Sequence, residues 1–303
     1  METGGVPNSS RAMSHFAGIS VHRDVPFLAD DRGESLDAYL PDPRIWRGPH
    51  PVVIVVHGGG WAKGDKSEHR QIEIAEVLVT NGYAVFSINY RLTEFSGEIL
   101  KSPVTRSSWP DCLNDCREAL RFVSSQAEVW NLDPARIALF GLSAGAHLAL
   151  LTSLTTGHPI LDVLHGRFPV ACVVYFYGVF DLPQIGGRWK FGERHADPKA
   201  VRRLASPASH LCPEAPPIFV AHSRADTTIP VAQSLQLLEK LGALGVPHRS
   251  RILESAPHGF GIRSEFGDLR PEVLAFLADH AGPPVISRSG GRGKEVHRQQ
   301  PLS

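Results

Sequence analysis

The 303-residue sequence is poor in several features that mark whole classes of protein. Its four cysteines show no paired C-x-x-C spacing, which argues against a zinc or iron–sulfur site. Lys plus Arg and Asp plus Glu balance at 31 each, so no net charge attracts nucleic acid or an anionic membrane. No run approaches the ~20 apolar residues that cross a bilayer. The sequence therefore predicts no metal, no nucleic-acid partner and no membrane span.

The two ends of the sequence differ from its middle. The first residues lack a charged start followed by an apolar core, so we expect no secretory signal and a cytoplasmic protein. We predict a flexible N-terminal segment at 1–17, one folded domain at 18–281 and a disordered tail at 282–303, because the Gly-, Ser- and Arg-rich tail has little to bury. A basic tail that binds an acidic partner is the alternative interpretation.

Strand-like and helix-like segments alternate along the folded part, which predicts an α/β protein with a mostly parallel central sheet and helices on both faces. An antiparallel pair, 19–27 with 36–40, is expected to open the sheet. Helices are expected at 68–80, 111–130, 144–156, 231–244 and 270–280. Further strands are expected at 52–56, 84–89, 137–140, 171–176, 218–221 and 249–253.

The strongest functional signal is a G-x-S-x-G motif between a predicted strand and a predicted helix. It places Ser143 between Gly141 and Gly145. A serine on a tight strand-to-helix turn exposes its Oγ, and small neighbours let the backbone turn without a Cβ clash. The pentapeptide alone also fits an ordinary turn, but this context predicts that Ser143 is a nucleophile.

A second motif, H-G-G-G-W, follows the β-branched run Pro51–Val56, which is typical of a strand buried on both faces. Acyl transfer through a serine builds negative charge on the carbonyl oxygen, and glycines let backbone amides approach that charge. We predict that Gly59 and Gly60 are oxyanion donors, with the amide of Ala144 as the third. A flexible glycine turn is the alternative.

The order serine, acid, histidine predicts the other members of a catalytic triad. Asp226 follows a predicted strand, and His258 lies 32 positions later, which leaves room for one helix and one strand between them. Three other histidines and one other acid compete for these roles: His147, His222, His248 and Glu254. Position along the chain favours Asp226 and His258, since Glu254 precedes His258 by only four residues.

Together these motifs resemble the α/β-hydrolase esterases, in the branch similar to hormone-sensitive lipase and the acetyl and feruloyl esterases. The resemblance covers about residues 18–281 and rests on His57-Gly58-Gly59-Gly60-Trp61, Asn89-Tyr90-Arg91, Gly141-Leu142-Ser143-Ala144-Gly145, the loop through Asp226, and Pro257-His258-Gly259-Phe260. It implies an α/β-hydrolase fold and a serine carboxylesterase, without identifying the ester. Ser223 stands where relatives often carry glycine, and Ile229 stands where they often carry valine. Neither difference alters the expected chemistry.

Two connections are long enough to shape a substrate pocket. Residues 91–110 show no helical or strand periodicity. Connections of this length inside a compact domain more often have a function than not. Residues 177–216 form an insertion, short for a cap domain, whose Trp189 and Phe191 are predicted to contact substrate. Trp61 is a third candidate pocket residue. For all three the alternative is a packing role. For Asp181 we prefer a structural role, orienting the insertion by hydrogen bonding, to a catalytic one.

The sequence thus predicts a serine esterase that hydrolyses small, short-acyl carboxylic esters through an acyl-enzyme, with no metal or organic cofactor. An amide hydrolase similar to kynurenine formamidase is an alternative, because that enzyme type shares the H-G-G-x-W pattern. A non-catalytic ligand-binding protein with this fold is another, but such proteins typically lack a triad member. The oligomeric state is left open.

Overall fold

The computed structural model describes residues 18–29, 31–162 and 168–287. Strands and helices alternate there as predicted. The strands are β1 (Ser20–Pro26), β2 (Ser35–Leu40), β3 (Trp46–Arg47), β4 (His50–Val56), β5 (Ala84–Ile88), β6 (Glu94–Phe95), β7 (Val104–Arg106), β8 (Leu132–Leu142), β9 (Cys172–Phe176), β10 (Ile218–Ser223), β11 (His248–Leu253), β12 (Arg263–Ser264), β13 (Gly267–Asp268) and β14 (Val285–Ile286). The helices are α1 (His69–Thr80), α2 (Asp111–Ser125), α3 (Ala144–Leu154), α4 (Pro198–Leu204), α5 (Ala232–Leu244) and α6 (Arg270–His280).

Eight strands form the central sheet, in the order β1-β2-β5-β4-β8-β9-β10-β11. The pairs β1–β2 and β2–β5 are antiparallel, and the neighbouring pairs from β5 to β11 are parallel. This confirms the predicted α/β class, the antiparallel opening pair and the mostly parallel sheet. The carboxyl ends of β8, β10 and β11 consequently meet at one edge, where the loops after them are brought close together.

The sheet is buried on both faces because its central strands are apolar on both sides. In β4, Val52, Ile54 and Val56 enter the core under α2, α3 and α5. The intervening Val53 and Val55 enter the core under α1 and α6. Among the residues that the structure describes, no helix combines the length and apolar character that a bilayer span requires.

Three segments differ from the sequence-based expectation. Helix α2 ends at Ser125 rather than at residue 130, and β8 begins already at Leu132, where it pairs with His50 of β4. Residues 282–287 do not belong to a disordered tail, because Val285 and Ile286 pair with β3. The predicted flexible segment at 1–17 and the tail beyond 287 lie outside the described residues.

The two long connections contain only short elements. Residues 91–110 form a small hairpin from β6 and β7, and 177–216 contain the seven-residue α4 with three short 3-10 turns. Asp181 has the structural role predicted for it. Its carboxylate accepts a hydrogen bond from the side chain of Gln184 at 2.6 Å, and its backbone amide donates one to the side chain of Gln233 at 2.8 Å. Asp181 thereby ties the insertion to α5.

A buried carboxylate anchors the start of α2. Asp115, only 1% exposed, accepts hydrogen bonds from Arg32 at 2.7 and 2.9 Å and from the amide of Arg91 at 2.8 Å. Burial raises the pKa of Asp115 to about 6, although Arg91 and Arg32 oppose the rise. The carboxylate thus joins three segments that are distant in sequence.

We expect Asp115→Ala to lower the free energy of unfolding by about 2 to 4 kcal/mol, because Arg32 and the Arg91 amide lose their buried acceptor. Urea unfolding measures this change. The matched control is Asp279→Ala, which removes a pair with Arg249 that is about half exposed and should change stability by less than about 1 kcal/mol. Equal effects of the two substitutions would contradict the anchoring role of Asp115.

Candidate active site

Ser143 occupies a strained turn between β8 and α3. Its backbone has φ +53° and ψ −116°, a conformation that non-glycine residues rarely adopt and that holds the side chain out from the turn. A Cβ on Gly145 would overlap the carbonyl oxygens of Val56 and His57 at the end of β4. Glycine is therefore required there, since it lets α3 begin directly against the neighbouring strand.

The structure brings Ser143, Asp226 and His258 together. Nε2 of His258 lies 3.0 Å from Oγ of Ser143, and its Nδ1 lies 2.6 Å from Oδ2 of Asp226. The serine follows β8, the aspartate follows β10 and the histidine follows β11, so three loops at one edge of the sheet supply them. The two distances match those of a nucleophile, a base and an orienting acid.

Asp226 is held as an anion. Its Oδ1 accepts from the amides of Thr228 and Ile229 at 2.8 and 2.9 Å, and its Oδ2 contacts His258 and also His222 at 3.2 Å. Burial alone raises the pKa of Asp226, but the hydrogen bonds from His222 and His258 and from the backbone outweigh it and hold the pKa well below its usual value.

The glycine loop after β4 lies against the serine turn. Gly59 and Gly60 have φ +108° and +63°, and the position of a Cβ on Gly58 is 3.3 Å from Cβ of Ser143. Among the described residues, no backbone hydrogen bond takes the Gly59 or Gly60 amide as its donor. The amide of Ala144 is the first of α3 and has no intrahelical acceptor. Three backbone donors thus remain available beside the serine.

The Asn89-Tyr90-Arg91 segment holds this glycine loop in place. The hydroxyl of Tyr90 donates to the carbonyl of His57 at 3.0 Å, and the two rings stack at 4.3 Å. Asn89 accepts from the amide of Lys66 at 2.7 Å and donates to Asp65 at 2.8 Å. Burial lowers the pKa of His57 to about 4, so its ring is neutral at physiological pH. The contacts of Tyr90 and Asn89 give the Asn89-Tyr90-Arg91 motif a positioning role.

A cavity of about 500 Å³ opens above Ser143 and His258. Trp189 forms part of its wall and lies against the glycine loop, 2.8 Å from the position that a Cβ on Gly60 would take. The lining residues are Gly58, Gly59, Gly60, Lys63, Gly64, Glu68, Arg70, Gln71, Leu100, Leu142, Ser143, Tyr177, Trp189, Thr228, His258 and Gly259. Its lining includes the charged side chains of Lys63, Glu68 and Arg70 and the apolar side chains of Leu100 and Trp189.

Trp61 and Phe191 do not lie where the sequence analysis placed them. Both are 2% exposed, their rings pack at 4.8 Å, and neither lines this cavity. Trp61 donates its indole N–H to Nδ1 of His147 at 3.2 Å, and Phe191 also packs on Trp109. They belong to the core beneath the insertion, where their rings pack on each other and on the buried ring of His147.

The competing residues lie away from Ser143. His147 is fully buried, with Nε2 on the carbonyl of Ala205 at 2.7 Å, and burial lowers its pKa to about 4. His248 is exposed and bonds the carbonyl of Val246, whereas Glu254 pairs with Arg224 at 3.2 Å. The ring nitrogens of His222 contact Asp226, the carbonyl of Ile229 and the hydroxyl of Ser234, so they are not placed to act on Ser143.

Some residues of the site were not found from the sequence. Tyr177 has φ +40°, donates its hydroxyl to the carbonyl of Phe260 at 2.9 Å and places its ring 4.9 Å from that of His258. Leu100 and Arg70 also line the cavity. The length of the 91–110 connection pointed to the Leu100 loop without naming a residue, and no motif marked Arg70.

The chain is similar in sequence to known esterases. The BD-FAE family model matches residues 36–241. Esterase LipQ of Mycobacterium tuberculosis is 30% identical over 292 residues, which cover 89% of this chain and 64% of LipQ. An acetylxylan esterase of Xylanibacter ruminicola is 25% identical over 79% of this chain and 46% of its own length. The chain therefore spans only part of the length of these relatives.

Among solved structures, an acetyl ester-xyloside bifunctional hydrolase of Caldicellulosiruptor lactoaceticus is similar, with a TM-score of 0.67 and 25% identity. The match covers 86% of this chain and 93% of the other. The family model covers well over half of the sequence. The chain belongs to the BD-FAE family and has the α/β-hydrolase fold of its esterases.

Proposed function

We propose that this protein is a serine carboxylesterase. The observation that carries the proposal is the contact chain from Oγ of Ser143 through both ring nitrogens of His258 to Asp226, at 3.0 and 2.6 Å. Similarity to curated and solved esterases supports the same activity.

In the proposed mechanism His258 removes the proton of Ser143 as the serine attacks the acyl carbon. Asp226 holds the ring with its proton on Nδ1 and stabilises the imidazolium that forms. The alcohol leaves with a proton from His258, and an acyl-enzyme remains on Ser143. A water molecule, deprotonated by the same histidine, then releases the acid and restores the serine.

The oxyanion of each tetrahedral intermediate is assigned to the amides of Gly59, Gly60 and Ala144. They lie on rigid segments, since Tyr90 fixes the glycine loop and the first turn of α3 fixes Ala144. Donors fixed in advance need no reorganisation when charge develops, and losing one such donor typically costs about 10²-fold to 10³-fold in kcat. The chain itself supplies the nucleophile, the base and the oxyanion donors of this mechanism, and water is the second reactant.

We propose small acyl esters as the substrates. The cavity is bounded by Trp189 on the glycine-loop side and by Leu100 from the 91–110 hairpin. The insertion supplies only the seven-residue α4, and its described part contains no long amphipathic helix that could open as a lid. A pocket with such a fixed wall has room for a short acyl chain and stops a long one.

We expect kcat/KM to be higher for acetyl to butyryl p-nitrophenyl esters than for chains of about ten carbons or more. Each methylene that fits adds only ~0.8 kcal/mol, roughly fourfold, so the decline should be steep only where the chain meets the wall. The measurement compares acetate, butyrate, octanoate and palmitate below their aggregation limits. A maximum at octanoate or beyond, or activation by lipid droplets, would contradict this proposal.

A matched variant tests the wall itself. Trp189→Ala removes the indole beside Gly60 and should move the preferred chain length upward, whereas Trp61→Phe alters a buried ring and should leave the preference unchanged. An N-formyl amide in the same panel tests the alternative activity: turnover of N-formylkynurenine far faster than of any aryl ester would overturn the ester assignment.

A further inference from the structure

His222 adds a second imidazole to the acid of the candidate triad. The side chain is fully buried on β10, and its Nε2 lies 3.2 Å from Oδ2 of Asp226. The same oxygen accepts from Nδ1 of His258 at 2.6 Å. Two histidines therefore contact one carboxylate oxygen, and the mechanism above uses only one of them.

The partners of His222 determine which nitrogen carries its proton. Nε2 also lies 3.0 Å from the carbonyl of Ile229, so both of its neighbours are acceptors and Nε2 must be the donor. Nδ1 lies 2.7 Å from Oγ of Ser234 on α5, a hydroxyl that donates to it. The Nε2–H of His222 is thus shared between the Ile229 carbonyl and the Asp226 carboxylate.

We propose that His222 is a positioning residue that tunes the catalytic base through Asp226. An N–H on Oδ2 withdraws negative charge from the oxygen that stabilises the protonated ring of His258. The hydrogen bond from His222 therefore lowers the affinity of His258 for its proton and keeps the base available at lower pH. It also fixes the orientation of the carboxylate, whose other oxygen is held by two amides. This inference rests on the proposed esterase function.

Other charged groups near His258 are unchanged by substitutions at His222. Nη2 of Arg70 lies 3.2 Å from the position of a Cβ on Gly259, next to His258, and Oε2 of Glu73 approaches Gly261 in the same loop. Lys63 and Glu68 line the cavity in front of the histidine. These two positive and two negative side chains belong to the segment from the glycine loop to α1, which does not include His222.

The test compares two variants. His222→Leu removes the donor and should raise the midpoint of the acid limb of the kcat/KM–pH profile by about 0.5 to 1 pH unit, the size of the net contribution of one ordinary hydrogen bond. KM should stay unchanged, because His222 does not line the cavity. His222→Gln keeps an N–H near the position of Nε2 and should keep the native midpoint. An unshifted midpoint in His222→Leu, or equal shifts in both variants, would overturn the proposal.

A measurement on the unmodified protein does not depend on the folding of a variant or on ester turnover. With ¹⁵N-labelled histidine, the Nε2–H resonance of His222 should move as His258 takes up its proton, since both rings donate to one oxygen. A His222 resonance that stays constant through this titration would refute the coupling. If no ester is hydrolysed but this coupling is seen, the proposed function fails while the coupling of His222 to His258 through Asp226 stands.

Discussion

Ser143→Ala should reduce hydrolysis of p-nitrophenyl acetate by on the order of 10³-fold or more. Without Oγ no acyl-enzyme forms, and His258 and the oxyanion amides can act only on water. The melting temperature should stay nearly the same, because the small side chain is half-buried and lines the cavity. Initial rates at saturating ester, together with thermal unfolding, measure both quantities.

The control for this substitution is Ser255→Ala. Ser255 lies exposed in the loop just before His258, so it shares the neighbourhood but contacts no group of the proposed triad. It should retain native turnover. Near-native turnover in Ser143→Ala would show that the nucleophile is another residue.

His258→Gln should abolish nearly all activity and remove the acid limb of the pH profile. In the native enzyme the base must be neutral to accept a proton, so kcat/KM should rise with pH along an acid limb. A protonated ring cannot accept the proton of Ser143. Steady-state rates from pH 5 to pH 9 give the profile.

His222→Gln is the matched histidine substitution. It leaves the contact between His258 and Ser143 intact, so both the activity and the rising limb should remain. The reverse pattern, with the limb lost in His222→Gln and kept in His258→Gln, would transfer the base to His222.

Most of the fold was predictable because its signals are local. The β-branched run of β4 and the alternation of strands and helices indicate a buried parallel sheet without any tertiary information. The segments that differed depend on distant partners. Leu132 extends β8 because His50 lies opposite it, and β14 forms because β3 offers an edge from the other end of the chain.

The residues of the candidate site likewise differ in how well the sequence predicts them. Ser143, Asp226 and His258 follow sequence motifs at strand ends, and the structure brings them together at bonding distance. Trp61 and Phe191 were misplaced because sequence shows that an aromatic lies near a loop but not which side of the loop it faces. The contact of His222 with Asp226 could not be predicted from the sequence, because it depends on how a loop closes over the end of a strand.

The most direct test of the central claim is to find which residue an organophosphate modifies in the native protein. Paraoxon reacts with an activated serine, so the protein should lose esterase activity in step with incorporation of one phosphoryl group. Peptide mass spectrometry should locate that group on Ser143, and Ser143→Ala should take up none. Inactivation with the label on another serine, or full activity after labelling of Ser143, would contradict the account.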